Sequence, residues 1–175
     1  IKKVYRTVKV DSHFIPVNDK IVETILSYGD ELKRSSPVKA DHTRWKLQND
    51  DRTFDHFIQQ IHEIYPKHRI SEIWGCTYRQ GDYAEAHNHF GFDLAFAWFV
   101  DTCSHCTPLI FPDIRHPWLA EENDRIITPS NGMCYVFSGK DIHYVAPHIC
   151  SHPRIVMSGN MDRICLLYTS PSPRD

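Results

Sequence analysis

The hydrophobic period of the chain changes once, near residue 70, and that change limits the fold more than any other feature. Before it, Ile21, Val22, Ile25, Leu26 and Leu32 recur at helical spacing, and so do Phe54, Phe57, Ile58, Ile61, Ile64 and Tyr65. The first set predicts a helix capped by Asp19 and running to about Lys33, where Ser35 to Pro37 break it. The second predicts a helix from Thr53 to Tyr65, ended by Pro66. A β-like stretch, Val4 to Val10, precedes both, and a polar, irregular segment around Trp45 separates them.

After residue 70 the apolar residues fall into short runs divided by turn sequences: Gly81-Asp82, Pro129-Ser130-Asn131-Gly132, Ser138-Gly139-Lys140-Asp141. The runs predict strands at Ile73–Gln80, Phe92–Val100, Leu109–Phe111, Arg125–Thr128, Met133–Phe137, Ile142–Ala146 and Arg154–Ser158. Helices followed by many short strands predict an α+β fold whose β part is a sandwich or jelly roll. The 175 residues suit one domain. We read it as residues 1–164, with helical support over 1–70 and the β core over 71–164. The segment Cys165 to Asp175, CLLYTSPSPRD, shifts abruptly to Ser/Pro-rich composition and reads as a non-native or disordered tail outside the fold.

Charge and composition narrow the partners. A formal net charge of −2 supplies no basic field for nucleic acid. No apolar run approaches the roughly 20 residues of a membrane span. The six cysteines form no regular framework, which favours a reduced, cytoplasmic setting. Oligomeric state is not legible.

Histidine carries the chemistry. There are 12, and His87-Asn88-His89 stands directly before a predicted strand. Residues i and i+2 of an extended chain share a face, so these two imidazoles can reach one metal ion. His143 opens the Ile142–Ala146 strand and Arg154 opens the next. If those strands pair through a Pro147–Pro153 hairpin, His143 and Arg154 face one cavity. Non-haem iron that activates O₂ needs three facial ligands and open positions beside them. A dicarboxylate chelating that iron needs a cation for its far end, and arginine offers a permanent, bidentate one.

These residues carry a resemblance. Trp74, Tyr78 and Gly81, then His87-Asn88-His89, Pro108-Leu109-Ile110-Phe111, Pro129, Gly132 and Phe137 follow one another in order. His143-Tyr144-Val145-Ala146-Pro147, Arg154 and Asn160 complete the series. Over residues 74–160 the chain resembles the 2-oxoglutarate/Fe(II) oxygenase superfamily, especially its small environmental and phage-associated members. The resemblance implies a double-stranded β-helix (jelly roll) with the N-terminal helices packed on one face. It implies Fe(II) on His87 and His143, and 2-oxoglutarate with its distal carboxylate on Arg154, helped by Tyr78. The activity implied is oxidative decarboxylation of 2-oxoglutarate coupled to hydroxylation of an unidentified substrate, with ascorbate as an accessory reductant.

The chain departs from the superfamily pattern at two points. His89 stands where the pattern has Asp or Glu, so the third ligand is His89, Asp93 or a water. Arg154-Ile155-Val156 lacks the serine that often follows two residues after the arginine, although Ser158 is near. Two other classes fit part of the pattern. One is a cupin-like three-histidine dioxygenase that needs no 2-oxoglutarate; the other is a non-catalytic, zinc-binding jelly-roll module. Cys103-Ser104-His105-Cys106 has the spacing to bind zinc together with His87 and His89. Without the contexts of a zinc deaminase or a thioredoxin, it reads first as a polar loop. His148 and His152 read as solvated, and the long loop Pro112 to Asp124 as a lid or substrate contact.

Overall fold

The computed structural model describes residues 8–114 and 124–165. Eleven strands are described in chain order: β1 (Val10–Phe14), β2 (Val38–Lys39), β3 (Asp41–His42), β4 (His68–Tyr78), β5 (Tyr83–His87), β6 (Leu94–Asp101), β7 (Leu109–Phe111), β8 (Arg125–Ile127), β9 (Met133–Ser138), β10 (His143–Val145) and β11 (Arg154–Arg163). Two α-helices, α1 (Asp19–Tyr28) and α2 (Asp55–Ile64), lie between β1 and β4.

The strands form two antiparallel sheets that face each other as a jelly roll. The larger has the order β1-β9-β6-β11-β4-β3, the smaller β2-β5-β10-β7-β8. Its long central pairing, β11 with β4, puts Arg154 opposite Tyr78 and Asn160 opposite Glu72. In the smaller sheet β10 lies between β5 and β7, and His143 sits directly opposite His87.

The expected alternation along Phe92–Val100 is present with a different consequence. Both faces of β6 are buried. Phe96, Trp98 and Val100 join a cluster with Ile21, Ile25, Phe57 and Ile61, so both helices pack on one face of the larger sheet. Ala95, Ala97 and Phe99 join a second cluster between the sheets, with Trp74, Tyr78, Phe137 and Val156. The large side chains therefore fill the helix side, and alanines leave room on the other. Gly75 permits the close helix contact: a Cβ there would lie 2.5 Å from Ile25 Cγ2.

Several boundaries differ from the sequence reading. Helix α1 is capped by Asn18, whose Oδ1 accepts from the Ile21 N–H, with Asp19 in the first turn beside the helix dipole. It stops at Gly29, which takes a positive φ of 61°, well before Lys33. A 3₁₀ turn, Arg52–Phe54, replaces the start of the second helix. Residues before 70, expected as helical support, also contribute β1, β2 and β3, which join both sheets. The first described strand is Val10–Phe14; of the expected Val4 to Val10 stretch, residues 4–7 lie outside the described residues. Most of the loop 112–124, including His116, and nearly all of the C-terminal tail lie outside them too. Among the described residues no helix is long and apolar enough to cross a membrane.

Candidate metal and anion site

Strand β5 positions the first imidazole. The segment Tyr83-Ala84-Glu85-Ala86-His87 has no clean apolar alternation, and the sequence reading missed it as a strand. Pairing with β10 nevertheless extends it, and directly opposed residues of antiparallel strands share a face at short range. The His87 and His143 rings accordingly lie 4.5 Å apart between centroids.

His89 lies beyond the end of β5, in the turn to β6. Its N–H donates to the Gly139 carbonyl at 2.8 Å, which docks this turn on the β9–β10 turn. Gly139 makes that approach sterically feasible, because a Cβ there would collide with the carbonyl oxygens of Phe92 and His89. Its ring stacks on His143 with centroids 5.1 Å apart, and the two Nε2 atoms are 3.3 Å apart. Trp74 stacks on the ring from another side at 5.8 Å. One ring nitrogen from each of His87, His89 and His143 falls within 4.8 Å of the other two.

The remaining ring nitrogens are held. His87 Nδ1–H donates to the Glu85 carbonyl at 2.6 Å, and His143 Nδ1–H to the Asp141 carbonyl at 3.1 Å. These bonds assign the proton to Nδ1 and leave the Nε2 lone pair pointing inward, the arrangement that fixes a metal-binding histidine. Burial keeps the set neutral. It lowers the pKa of His143 to about 3, with help from His87 and His89, and that of His89 to about 4, with Asn160 partly opposing. His87 is lowered for the same reason. Neutral imidazole is the form that binds a cation.

Arg154 enters the same cavity from the larger sheet. The cavity is lined by His87, His89, His143, Arg154, Tyr78 and Ser158, among others. Arg154 is 1% exposed, and its Nε and Nη1 find no hydrogen-bond partner among the described residues. Its guanidinium lies between aromatic rings, 4.7 Å from the centroid of Tyr78 and 5.0 Å from that of Phe99. Burial lowers its pKa and raises that of Tyr78. A buried cation without a counter-charge costs several kcal/mol, so an anion entering the cavity would find an uncompensated partner in Arg154.

The structure separates the other sequence candidates from this group. The Asp93 carboxylate binds His68 Nε2 at 2.6 Å and approaches Arg163 at 3.5 Å, which engages it away from the three imidazoles. The imagined hairpin between the strands of His143 and Arg154 does not exist: β10 and β11 belong to different sheets, and the two residues meet because the sheets face each other. The thiols of Cys103 and Cys106 gather with Cys150 and not with His87 and His89. His148 is buried, not solvated: its Nε2–H donates to the His152 carbonyl at 2.8 Å, and His152 itself pairs with Asp101 at 3.0 Å. The sequence places Gly139 in a turn and Trp74 and Asn160 in the resemblance, but their contacts with the histidine group depend on tertiary structure.

This fold is shared with solved structures of 2-oxoglutarate/Fe(II) oxygenases. The viral collagen prolyl hydroxylase of Paramecium bursaria Chlorella virus-1, solved with 2-oxoglutarate, superposes with a TM-score of 0.64 at 11% identity, covering 89% of this chain and 96% of its own. The non-heme alpha-ketoglutarate-dependent epimerase SnoN from nogalamycin biosynthesis gives 0.63 at 11% identity, over 98% and 88%. HygX from Streptomyces hygroscopicus, solved with nickel, 2-oxoglutarate and hygromycin B, gives 0.61 at 10%, over 91% and 85%. At such identities the likeness concerns the fold. No protein-family model and no curated protein sequence matches the chain.

Proposed function

We propose that the chain is a non-haem Fe(II) oxygenase that couples oxidative decarboxylation of 2-oxoglutarate to hydroxylation of a substrate. The observation that carries this reading is the buried Arg154, without an anionic partner in a cavity shared with three inward-facing imidazoles. His87, His89 and His143 would hold the metal, and Arg154 would hold the distal carboxylate of 2-oxoglutarate, with Tyr78 packed against the guanidinium. Bound Fe(II) with its cosubstrate supplies the activation of O₂ that the side chains lack.

The residues do the positioning. Three neutral ligands would leave the full charge of a bound metal uncompensated, so a dianionic cosubstrate would neutralise the site where the usual carboxylate ligand does part of that work. Arg154 supplies a fixed bidentate anchor in a dry environment, where a charge-assisted bond is strong. The side of the trio nearest His89 opens to a cleft lined by Trp45, Trp74 and Phe90, with Trp45 and Phe90 exposed. Substrate would approach there, while the Arg154 end stays closed.

The test is anaerobic titration of the protein with Fe(II) and 2-oxoglutarate, followed by exposure to air with ascorbate present. A visible charge-transfer band and succinate release are expected, and both should vanish in Arg154→Ala. Oxygen consumption that survives Arg154→Ala would favour the three-histidine dioxygenase without 2-oxoglutarate. Protein that takes up zinc on the histidines and shows neither signal with iron would favour the non-catalytic module.

A further inference from the structure

Three thiols converge outside the histidine cavity. Cys103 Sγ lies 3.6 Å from Cys106 Sγ and 3.4 Å from Cys150 Sγ, and the three sulfurs all fall within 4.8 Å of one another. Tetrahedral zinc with Zn–S bonds of about 2.3 Å places its sulfurs roughly 3.8 Å apart. A disulfide needs about 2.05 Å and uses sulfurs in pairs, which would leave one of these three over. The spacing leaves room for a cation between the three sulfurs.

Backbone amides point at two of the sulfurs. The Cys103 N–H donates to Cys106 Sγ at 3.3 Å, and the His152 N–H donates to Cys150 Sγ at 3.3 Å. The Cys106 N–H closes the turn on the Cys103 carbonyl at 3.1 Å. The same two loops are tied a second time by His148, whose Nδ1 faces the Thr107 N–H at 3.5 Å while its Nε2–H serves His152.

We propose that Cys103, Cys106 and Cys150 form a second metal site, structural in role and selective for zinc, with a fourth donor from water or His105. Binding displaces the thiol protons to solvent and changes no oxidation state. The site staples the β6–β7 turn to the β10–β11 loop. That loop runs directly into Arg154, the first residue of β11. The staple would therefore hold the closed end of the cavity. This inference does not depend on the oxygenase reading.

The test uses the full chain purified under reducing conditions without chelator. Zinc content is measured in wild type, in His143→Ala, and in His143→Ala combined with Cys103→Ser or with Cys150→Ser, and each protein is titrated with Co(II). One zinc per chain is expected to survive His143→Ala, and that zinc is lost when either cysteine change is added to His143→Ala. Sulfur-to-cobalt charge-transfer absorption should appear in the first two proteins only. The proposal is overturned if Cys150→Ser combined with His143→Ala retains the zinc, if Co(II) in folded wild type shows no thiolate band, or if native protein carries a Cys103–Cys150 disulfide in place of metal. The wild-type cobalt spectrum decides the matter even if the cysteine variants fail to fold.

Discussion

On the helix side of the larger sheet, Phe96, Trp98, Ile155 and Met157 pack against Ile25, Phe57 and Ile61; on the cavity side, the same strands present Ala95, Ala97, Ser158 and Arg154. One face is filled with large apolar side chains. The other is thinned by alanines and carries a buried charge that the described residues leave uncompensated. Burial of apolar area stabilises the first, whereas the second gives up stability to keep a space and a cation ready. Residues one apart along a strand therefore serve opposite ends.

The contrast predicts opposite responses to substitution. Trp98 is 1% exposed, stacks on Phe57, and donates its Nε1–H to the Ile15 carbonyl at 3.1 Å. Trp98→Ala should lower unfolding free energy by about 3–5 kcal/mol in a denaturant titration. Protein that remains folded should still bind metal with wild-type stoichiometry. Equal loss of metal binding would mean that the two faces are not independent.

Arg154→Met should do the reverse. Replacing a buried, unpaired charge by an apolar side chain of similar length is expected to leave stability unchanged or raise it by about 1–4 kcal/mol. Affinity for 2-oxoglutarate, measured calorimetrically with metal present, should fall by about 2–5 kcal/mol. A destabilised variant with intact cosubstrate binding would remove the basis for the anion site.

Gly139→Ala sharpens the comparison at the edge of the cavity. The added methyl has no room against the Phe92 and His89 carbonyls, so the turn that holds His89 must shift. Metal affinity should weaken by about 10–100-fold, as when a supporting contact of a ligand is lost. An unchanged dissociation constant would argue that His89 is not a ligand.

The smallest effect concerns acid. His42 is fully buried, with its pKa lowered chiefly by desolvation; Nδ1 bonds the Thr43 carbonyl at 2.6 Å and Nε2 has no partner among the described residues. The unfolded chain therefore binds this proton more readily than the folded one. The stability that neutral His42 permits is fully present above the unfolded value near 6.5 and declines as pH falls below it. One such group contributes a slope of at most about 1.4 kcal/mol per pH unit. His42→Phe should show a shallower loss of stability than wild type between neutral and mildly acid pH.

Much of this architecture is legible in the sequence where burial follows a period. The stripes of Ile21–Ile25 and Phe57–Ile61 face the sheet, and the β6 and β9 segments lie close to their expected bounds. His87, His89, His143 and Arg154 were identifiable as a set, and the fold brings them to one cavity. What escaped depended on contacts between distant segments. Strand β5 is defined by its pairing with β2 and β10, since Tyr83 to His87 carries no apolar alternation. Cys150 stands 47 residues from Cys103, and nothing local marks it as that thiol's neighbour. His148 looks like a loop histidine until its loop is seen folded against residues 79–82, where its N–H meets the Asp82 carbonyl.

The division of the site between two sheets has a further consequence. The three imidazoles belong to the smaller sheet and the turn that leaves it, while the guanidinium and its tyrosine stand on the larger. On the proposed reading, the gap between the layers works as a caliper for the ligand that bridges them. A dicarboxylate one methylene too short cannot touch both jaws, and one too long must buckle. Selection among oxo acids would then be set by how far apart two β-layers stand, a dimension governed by the packing between them and reset only by moving one whole layer.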